Sequence, residues 1–420
     1  MFIKPIVTKT NKTTFGAGRT IVYSDFDKTY TPFSQAEMCK NSDTNEISRK
    51  KEFKDYFSRF KTLKDLAKDK FTLAITTGRN SSEYIFVEKK LKENNLEYFA
   101  PEILISGNGA DRYIKKDNEW IIDDTKNTSI QTVAKGWNAA KIKNTLKQMF
   151  SKNVENICFV LSGVNRTKWD YPGISVEDEL EKVSLNDRKN YVSFNKEQNI
   201  IDIAFSNSLP VEKLKTIAEK FLQNNKIEAE INHYSKDNNG YCPQYTNGTL
   251  SYEPGNRIII KPKINNKELS KLYDVKEAVK KVITEKTDDL IIAAGDEFND
   301  EEMLNPLNYL DLLGVKYDKN KPLKEILNDA NLLKAINKLP LKIIIVGQSP
   351  SLSHLREMNK ILRNNGIDKI SCINSPNSEN AGLLNEIQKS ILKYSDENDE
   401  FSYHLDLNLY KYLVHTTTIY

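Results

Sequence analysis

Three short segments combine carboxylates, hydroxyls and glycine in ways that suit phosphoryl chemistry. SDFDKTYTP places Asp25 and Asp27 two residues apart, with Thr29 closing the turn. One carboxylate of such a pair can attack phosphorus while the other donates a proton to the leaving oxygen. TTGR, Thr76–Arg79, sets a hydroxyl ahead of backbone N–H groups at a helix start, an arrangement suited to phosphate oxygens. GDEFND, Gly295–Asp300, gathers Asp296, Asn299 and Asp300 on a turn and a helix start. Hard oxygen donors of that kind suit Mg²⁺. Each segment alone also has an ordinary reading. DxD arises often in a charged chain, TTGR serves as a strand-to-helix turn, and Asp296 or Asn299 can cap a helix.

The elements around these segments give them a common place. Thr20–Ser24, Phe71–Ile75 and Leu290–Ala294 are short, apolar, β-branched runs that predict buried strands. Each of the three segments follows one of those runs directly, and in open α/β sheets ligands bind at that edge. A further strand is predicted at Glu102–Ser106. The helix between Glu46 and Lys70 is read from Phe53, Phe57, Phe60, Leu63 and Leu66 at three- to four-residue spacing, and SSEYIFVEKKLKENN reads as another. Strand–helix–strand alternation with fully apolar strands predicts a parallel sheet covered by helices on both faces.

From Asp111 the texture changes to alternating strands at Tyr191–Phe194 and Ile200–Phe205, the helix-like VEKLKTIAEKFLQNN and the strand-like KIEAEI. The first texture returns with Arg257–Ile260, a helix around Val275–Ile283 and Leu290–Ala294. The expected organisation is a core over 1–110 and 257–335, an inserted α+β unit over 111–256, and a C-terminal α/β extension over 336–420.

Composition narrows the function classes. The 420 residues are 39% hydrophobic and 29% charged, as in a soluble globular protein of two or three domains. No apolar run reaches membrane-helix length, the N-terminus lacks a secretory pattern, and a cytoplasmic location with no membrane partner is expected. The four cysteines and four histidines are scattered, which argues against disulfides and transition-metal sites. A net charge of +4 from 62 basic and 58 acidic residues, without a basic stripe, gives no case for nucleic acid.

The three segments occur together and in order, and on that basis the chain resembles the haloacid dehalogenase superfamily. SDFDKT, TTGR and GDEFND look like its first, second and fourth motifs. The resemblance implies a Rossmann-like α/β core with a C2-type α+β cap, and a Mg²⁺-dependent phosphatase of small phosphorylated substrates such as sugar phosphates. It assigns Asp25 as the nucleophile that forms an aspartyl-phosphate and Asp27 as the general acid/base. Phosphate binding falls to Thr77 and the following Gly78. Mg²⁺ falls to Asp25, the Asp27 carbonyl and Asp296, with Asp300 helping to hold the metal or its water and Asn299 supporting. IIIKPKINNKE is similar to the lysine stretch that follows the cap in the Cof-like and sucrose-phosphatase-like branch. That places the phosphate-neutralising lysine at Lys267, with Lys263, Lys271 and Lys276 as alternatives. ISGNGADRY looks like the branch's turn before the cap and adds Asn108 to the supporting residues.

DLLGVKYDKNKPLKEILNDAN resembles the last strand and helix of the family core. Beyond it, Leu341–Val346 reads as one more strand, and the GQSPSLS turn lacks the Gly-Lys-Ser/Thr of a P-loop. A structural extension of the sheet is preferred there to a second binding site, and the tail Ser395–Tyr420 is a candidate docking segment for the core or a protein partner. Rival functions are a phosphoprotein phosphatase, a phosphotransferase, or a non-catalytic binding protein acting through the extension. Two glycines, Gly109 and Gly255, mark the expected cap hinges, and Asn238–Tyr245 is the nominated substrate-facing loop.

Overall fold

The structure, a computed structural model, describes residues 18–31, 46–79, 99–124, 136–162, 190–195, 199–235, 241–246, 249–264, 267–376 and 382–394, with scattered positions between 81 and 134. The tail Ser395–Tyr420, most of the helix-like 81–95 and residues 238–240 of the nominated loop lie outside these. Backbone strand continues that loop over Tyr241–Thr246.

Sixteen strands are described, and their order along the chain fixes where the chemistry sits. The first five are β1 (Thr20–Ser24), β2 (Phe71–Thr76), β3 (Ile103–Ser106), β4 (Asp111–Lys116) and β5 (Glu119–Ile122). Then come β6 (Cys158–Ser162), β7 (Tyr191–Asn195), β8 (Ile201–Phe205), β9 (Ala229–Tyr234), β10 (Tyr241–Thr246), β11 (Thr249–Pro254), β12 (Asn256–Ile264) and β13 (Lys267–Glu268). The last three are β14 (Leu290–Gly295), β15 (Leu341–Val346) and β16 (Ile370–Ile373). Eight of them form one sheet in the order β16-β15-β14-β1-β2-β3-β4-β5. From β16 to β3 all pairs are parallel, and β4 and β5 add an antiparallel hairpin at the edge.

Helices cover both faces of this sheet, as its fully apolar strands require. On one face Val22, Leu73, Ile75, Ile292 and Ile344 meet Phe57, Phe60 and Leu63 of α1 (Glu46–Ala67). The other face packs Tyr23, Ala74, Ile291, Ala293 and Ile343 against the helices that follow β13, β14 and β15. The first of those carries Val275, Val279 and Val282 on one stripe, within Leu272–Glu285. That spacing is the 3.6-residue period of a half-buried helix.

A second sheet runs β13-β12-β8-β7-β6, with β9 also on β12. The helices α2 (Ala139–Asn153) and α3 (Val211–Asn224) close its core around Phe150, Phe194, Ile203 and Leu214. With the helix Leu272–Glu285 as α4, the chain leaves the first sheet after β5 and returns to it through α4.

The boundaries differ from the expected 111 and 256. β4 and β5 pair with β3 and belong to the first sheet, so the second unit starts beyond Ile122. Their alternation reflects an edge hairpin with one covered face, not a new domain. Arg257–Ile260, expected to be a core strand, lies in β12 and pairs with β8 and β9 of the second sheet. It reads as a continuous apolar run because both its faces are covered. Ile258 and Ile260 face α2 and α3, while Ile259 joins Ala110, Ile200 and Leu269 between the sheets. The expected strand in DLLGV is a helical turn over Pro306–Leu313 followed by Gly314 at φ 72°, and the strand beside β14 is β15. Together with β16, β15 makes part of the 336–420 segment a continuation of the first sheet.

Candidate active site

β1 and β14 lie side by side and parallel, so their C-terminal ends open on one edge. The Asp25 N–H donates to the Ala294 carbonyl (2.9 Å), which continues the ladder one step past β1 and pins the carboxylate at the edge. The next turn closes through Tyr30 N–H to the Asp25 carbonyl (3.1 Å) and Thr31 N–H to the Phe26 carbonyl (2.9 Å). Lys28 adopts a left-handed φ of 54° there, and the reversal carries Thr29 back to the site. The Thr29 hydroxyl donates to Asp296 Oδ1 at 2.7 Å.

Asp25, Asp296 and Asp300 are all buried, and each offers a carboxylate oxygen within 4.8 Å of the other two. The Lys271 ammonium, 1% exposed, donates to Asp25 Oδ1 and to Asp300 Oδ1, each at 2.6 Å. Asp300 Oδ2 accepts from the Asp296 and Glu297 amides at 3.0 and 3.1 Å. Both oxygens of Asp300 are thus engaged, and it braces the loop after β14. Gly295 is required beneath it, because a Cβ there would stand 2.5 Å from Asp300 Cβ.

These groups shift one another's ionisation. Burial lifts the Asp25 carboxyl well above the usual range, and the Asp300 and Asp27 charges add to that against the pull of Lys271. Burial also raises Asp296, to about 7, opposed by the Thr29 hydrogen bond and reinforced by Asp300 and Glu297. For Lys271 burial alone would lower the value. The Asp25 and Asp300 charges outweigh it and hold the ammonium above the ordinary lysine value. Three carboxyl groups against one ammonium would leave a buried excess of negative charge once Asp25 and Asp296 lose their protons. That excess, carried on hard oxygens, fits a small divalent cation.

Asp27 stands beside this cluster under a different constraint. Arg79 grips it in a bidentate pair, Nε to Oδ2 at 3.0 Å and Nη2 to Oδ1 at 2.7 Å. Arg79 is itself fixed by its amide, which donates to the Thr77 hydroxyl at 3.2 Å. Thr77 N–H donates to the Ile105 carbonyl, and Asn108 N–H donates to the Thr77 carbonyl. The TTGR turn and the turn after β3 therefore lock together. Asn108 sits at φ 58°, and its side-chain oxygen is buried without a hydrogen-bond partner among the described residues. A Cβ added to Gly78 would lie 3.1 Å from that oxygen. A groove of about 1290 Å³ opens next to the site, rimmed by Asn108, Ser270, Asn299 and the exposed Phe298.

The structure thus brings together Asp25, Asp27, Thr77, Gly78, Asn108, Asp296 and Asp300, with Asn299 on the groove's rim. Lys267 pairs its backbone with Ile264 in the β12–β13 hairpin, and its side chain lies outside the described residues. Among the described side chains, the lysine that reaches the carboxylates is Lys271, at the start of α4. Spacing along IIIKPKINNKELSK does not separate the two. The apolar stripe Val275–Val279–Val282 marks where the helix begins, and Lys271 directly precedes that helix. Arg79 is the other residue that motif reading leaves without a role.

The family model described as haloacid dehalogenase-like hydrolase matches residues 48–310. No curated protein matches the chain. Similar solved structures include the sucrose-phosphatase from Synechocystis sp., in complex with sucrose and phosphate (11% identity, 90% of this chain and 98% of that one, TM-score 0.33). A haloacid dehalogenase-like hydrolase from Bacteroides thetaiotaomicron is similar at 12% identity, over 89% of this chain and 99% of that one, with a TM-score of 0.35. Another, from Bacillus subtilis, is 16% identical over 83% and 93%, with a TM-score of 0.32. The family match spans the TTGR and GDEFND segments and the lysine between them, and the chain belongs to the haloacid dehalogenase-like hydrolases.

Proposed function

We propose that the chain is a Mg²⁺-dependent phosphatase that removes the phosphoryl group of a small phosphorylated metabolite, such as a sugar phosphate, through an aspartyl-phosphate at Asp25. The observation that carries this reading is the buried Asp25 carboxylate, held by Lys271 among Asp296 and Asp300 at the open edge of a parallel sheet.

Asp25 and Asp296, with the Asp27 carbonyl, would hold the ion, and Asp300 would brace them. Mg²⁺ held there would offset the charge shared by the attacking carboxylate and the phosphoryl oxygens. Lys271 fixes the Asp25 rotamer through Oδ1 and adds positive charge where the phosphoryl group must arrive. The Thr77 hydroxyl and the Gly78 backbone lie on the turn that would hold the other phosphoryl oxygens. A carboxylate oxygen of Asp25 forms the new bond to phosphorus as the ester P–O bond breaks. Asp27, oriented by Arg79, delivers a proton to the leaving oxygen. Water then attacks the aspartyl-phosphate, gives its proton to Asp27, and releases inorganic phosphate and the free Asp25 carboxylate.

The second sheet unit is read as a cap that shields this edge and contacts the leaving group. A unit in that role would obstruct a phosphoprotein substrate. Hydrolysis of p-nitrophenyl phosphate with Mg²⁺ and its loss in EDTA test the reading, and a panel of phosphorylated metabolites then identifies the substrate. Turnover that persists in chelator, or no turnover of any phosphoester, overturns it.

A further inference from the structure

Both crossings between the two sheets pass one buried carboxylate that the proposed chemistry does not use. Asp274 lies in the first turn of α4, three positions after Lys271, and is 2% exposed. Neither of its carboxylate oxygens has a hydrogen-bond partner among the described residues. Its partners are charges from elsewhere in the chain. The Lys126 ammonium, from the segment that leaves the first sheet after β5, stands 3.2 Å from Asp274 Oδ1. The same ammonium lies over the Tyr273 ring, 4.8 Å from its centroid. Arg112 of β4 stands 3.7 Å from Asp274 Oδ1 through Nη1 and 3.4 Å from Asp123 Oδ2 through Nε. The outgoing crossing (Asp123 and Lys126) and the returning one (Ser270–Asp274) are therefore held by one ionic cluster.

The turn carrying Asn108 meets the same point. A Cβ on Gly109 would fall 3.1 Å from the Ser270 carbonyl and 3.7 Å from Asp274 Oδ2. At φ 96° this position already favours glycine, and the close approach adds a second reason. An acid in a helix's first turn is favoured by the helix dipole alone. That preference requires neither burial nor two cations drawn from other segments. A buried carboxylate so placed depends on its cations, and removing one partner leaves the other charge uncompensated.

We propose that Asp274 is a positioning residue: by clamping both crossings to the Asn108 turn it fixes the start of α4, and with it the approach of Lys271 to Asp25. The role at Lys271 rests on the phosphatase reading above, whereas the clamp rests on geometry alone. The clamp is a device of this chain's own residues, Asp274, Lys126 and Arg112.

Hydrogen–deuterium exchange and p-nitrophenyl phosphate turnover, measured together on the full chain, test the proposal. Asp274→Asn keeps the shape and removes the charge. Lys126→Met removes one cation at a less buried position and serves if Asp274→Asn does not fold. In either variant, amides of residues 123–126 and 270–273, including that of Lys271, should exchange about tenfold faster or more. Turnover at saturating Mg²⁺ should fall about tenfold, and the double variant should be no slower than the slower single, as expected of groups acting as one unit. Unchanged exchange at both crossings would overturn the proposal. Faster exchange with wild-type turnover would also overturn it, since the cluster would then be merely structural. If the unaltered chain hydrolyses no phosphoester, the phosphatase reading falls, and exchange at 270–273 still decides for or against the clamp.

Discussion

Lys271 and Asp25 stand 246 positions apart in the chain and meet at 2.6 Å, with the ammonium inserted between Asp25 and Asp300. Asp25, just past the end of β1, and Asp300, on the helical turn after β14, thus share one cation that arrives on the helix returning from the second sheet. That arrangement makes the site sensitive to changes at each of the three residues, for different reasons.

Asp25→Asn is expected to remove turnover while the fold persists, because an amide is a poor nucleophile toward phosphorus. The loss should be several orders of magnitude, as for other covalent nucleophiles. Steady-state kinetics with circular dichroism as the folding control measures it, and near-native turnover would exclude Asp25 as the attacking group.

Replacing the two lysines separates their roles. Lys271→Met leaves Asp25 and Asp300 without their ammonium, and turnover should fall on the order of a hundredfold or more, the scale of losing one preorganised charge. Lys267→Met should stay near the wild-type rate. Comparable losses in both would return the phosphate-neutralising role to the β12–β13 hairpin.

Asp27→Asn should discriminate by leaving group. Protonation of the leaving oxygen matters for an alkoxide and little for p-nitrophenolate, so release of the leaving group in a single turnover should slow ~10²–10⁴-fold for a sugar phosphate and far less for p-nitrophenyl phosphate. Equal losses would mean that Asp27 acts through its grip on Arg79 and not through a proton.

The raised Asp296 carboxyl gives the pH dependence a definite sign. Its value is about 7 in the folded chain against 3.8 for an ordinary aspartate. Between those limits the metal-free folded state keeps a proton that the unfolded chain has released, so this group's contribution to stability declines as pH rises through that window. Mg²⁺ must displace the same proton. The rise in Tm on adding Mg²⁺ should therefore be small near about pH 5.5 and large near about pH 8. A shift independent of pH would count against Asp296 as a ligand.

Gly295→Ala is expected to destabilise the fold and to reduce activity together, since the added Cβ would stand 2.5 Å from Asp300 Cβ. Forced overpacking of this kind costs about 1–3 kcal/mol. Thermal unfolding and turnover of the variant check both effects, and a native Tm would show that the loop shifts freely.

The carboxylate positions are legible in the sequence because each follows an apolar run that is a strand, and parallel strands deliver their ends to one edge. Asp25 and Asp296 need only that rule. Lys271 is harder to read, since it is one of several lysines after β12 and only the tertiary return to the first sheet selects it. Ile258–Ile260 mislead for a physical reason: a strand covered on both faces loses its alternation, whichever sheet it joins. The Arg79–Asp27 pair depends on how two turns face each other across β1 and β2, and no spacing along the chain encodes that.

The pairing of β1 with β14 also sets the timing of biosynthesis. Thr20 lies opposite Leu290, so at ~5–20 residues per second the ribosome takes roughly 14–54 s to supply this partner of the strand that ends just before Asp25. Every strand of the second sheet, Cys158 to Glu268, emerges before β14 does. That unit can assemble while β1 waits as a bare, apolar edge, the kind of surface that pairs with the wrong chain. Of the described strands the one that ends just before Asp25 is made first, and the edge it offers to β14 stays open until residue 290 emerges.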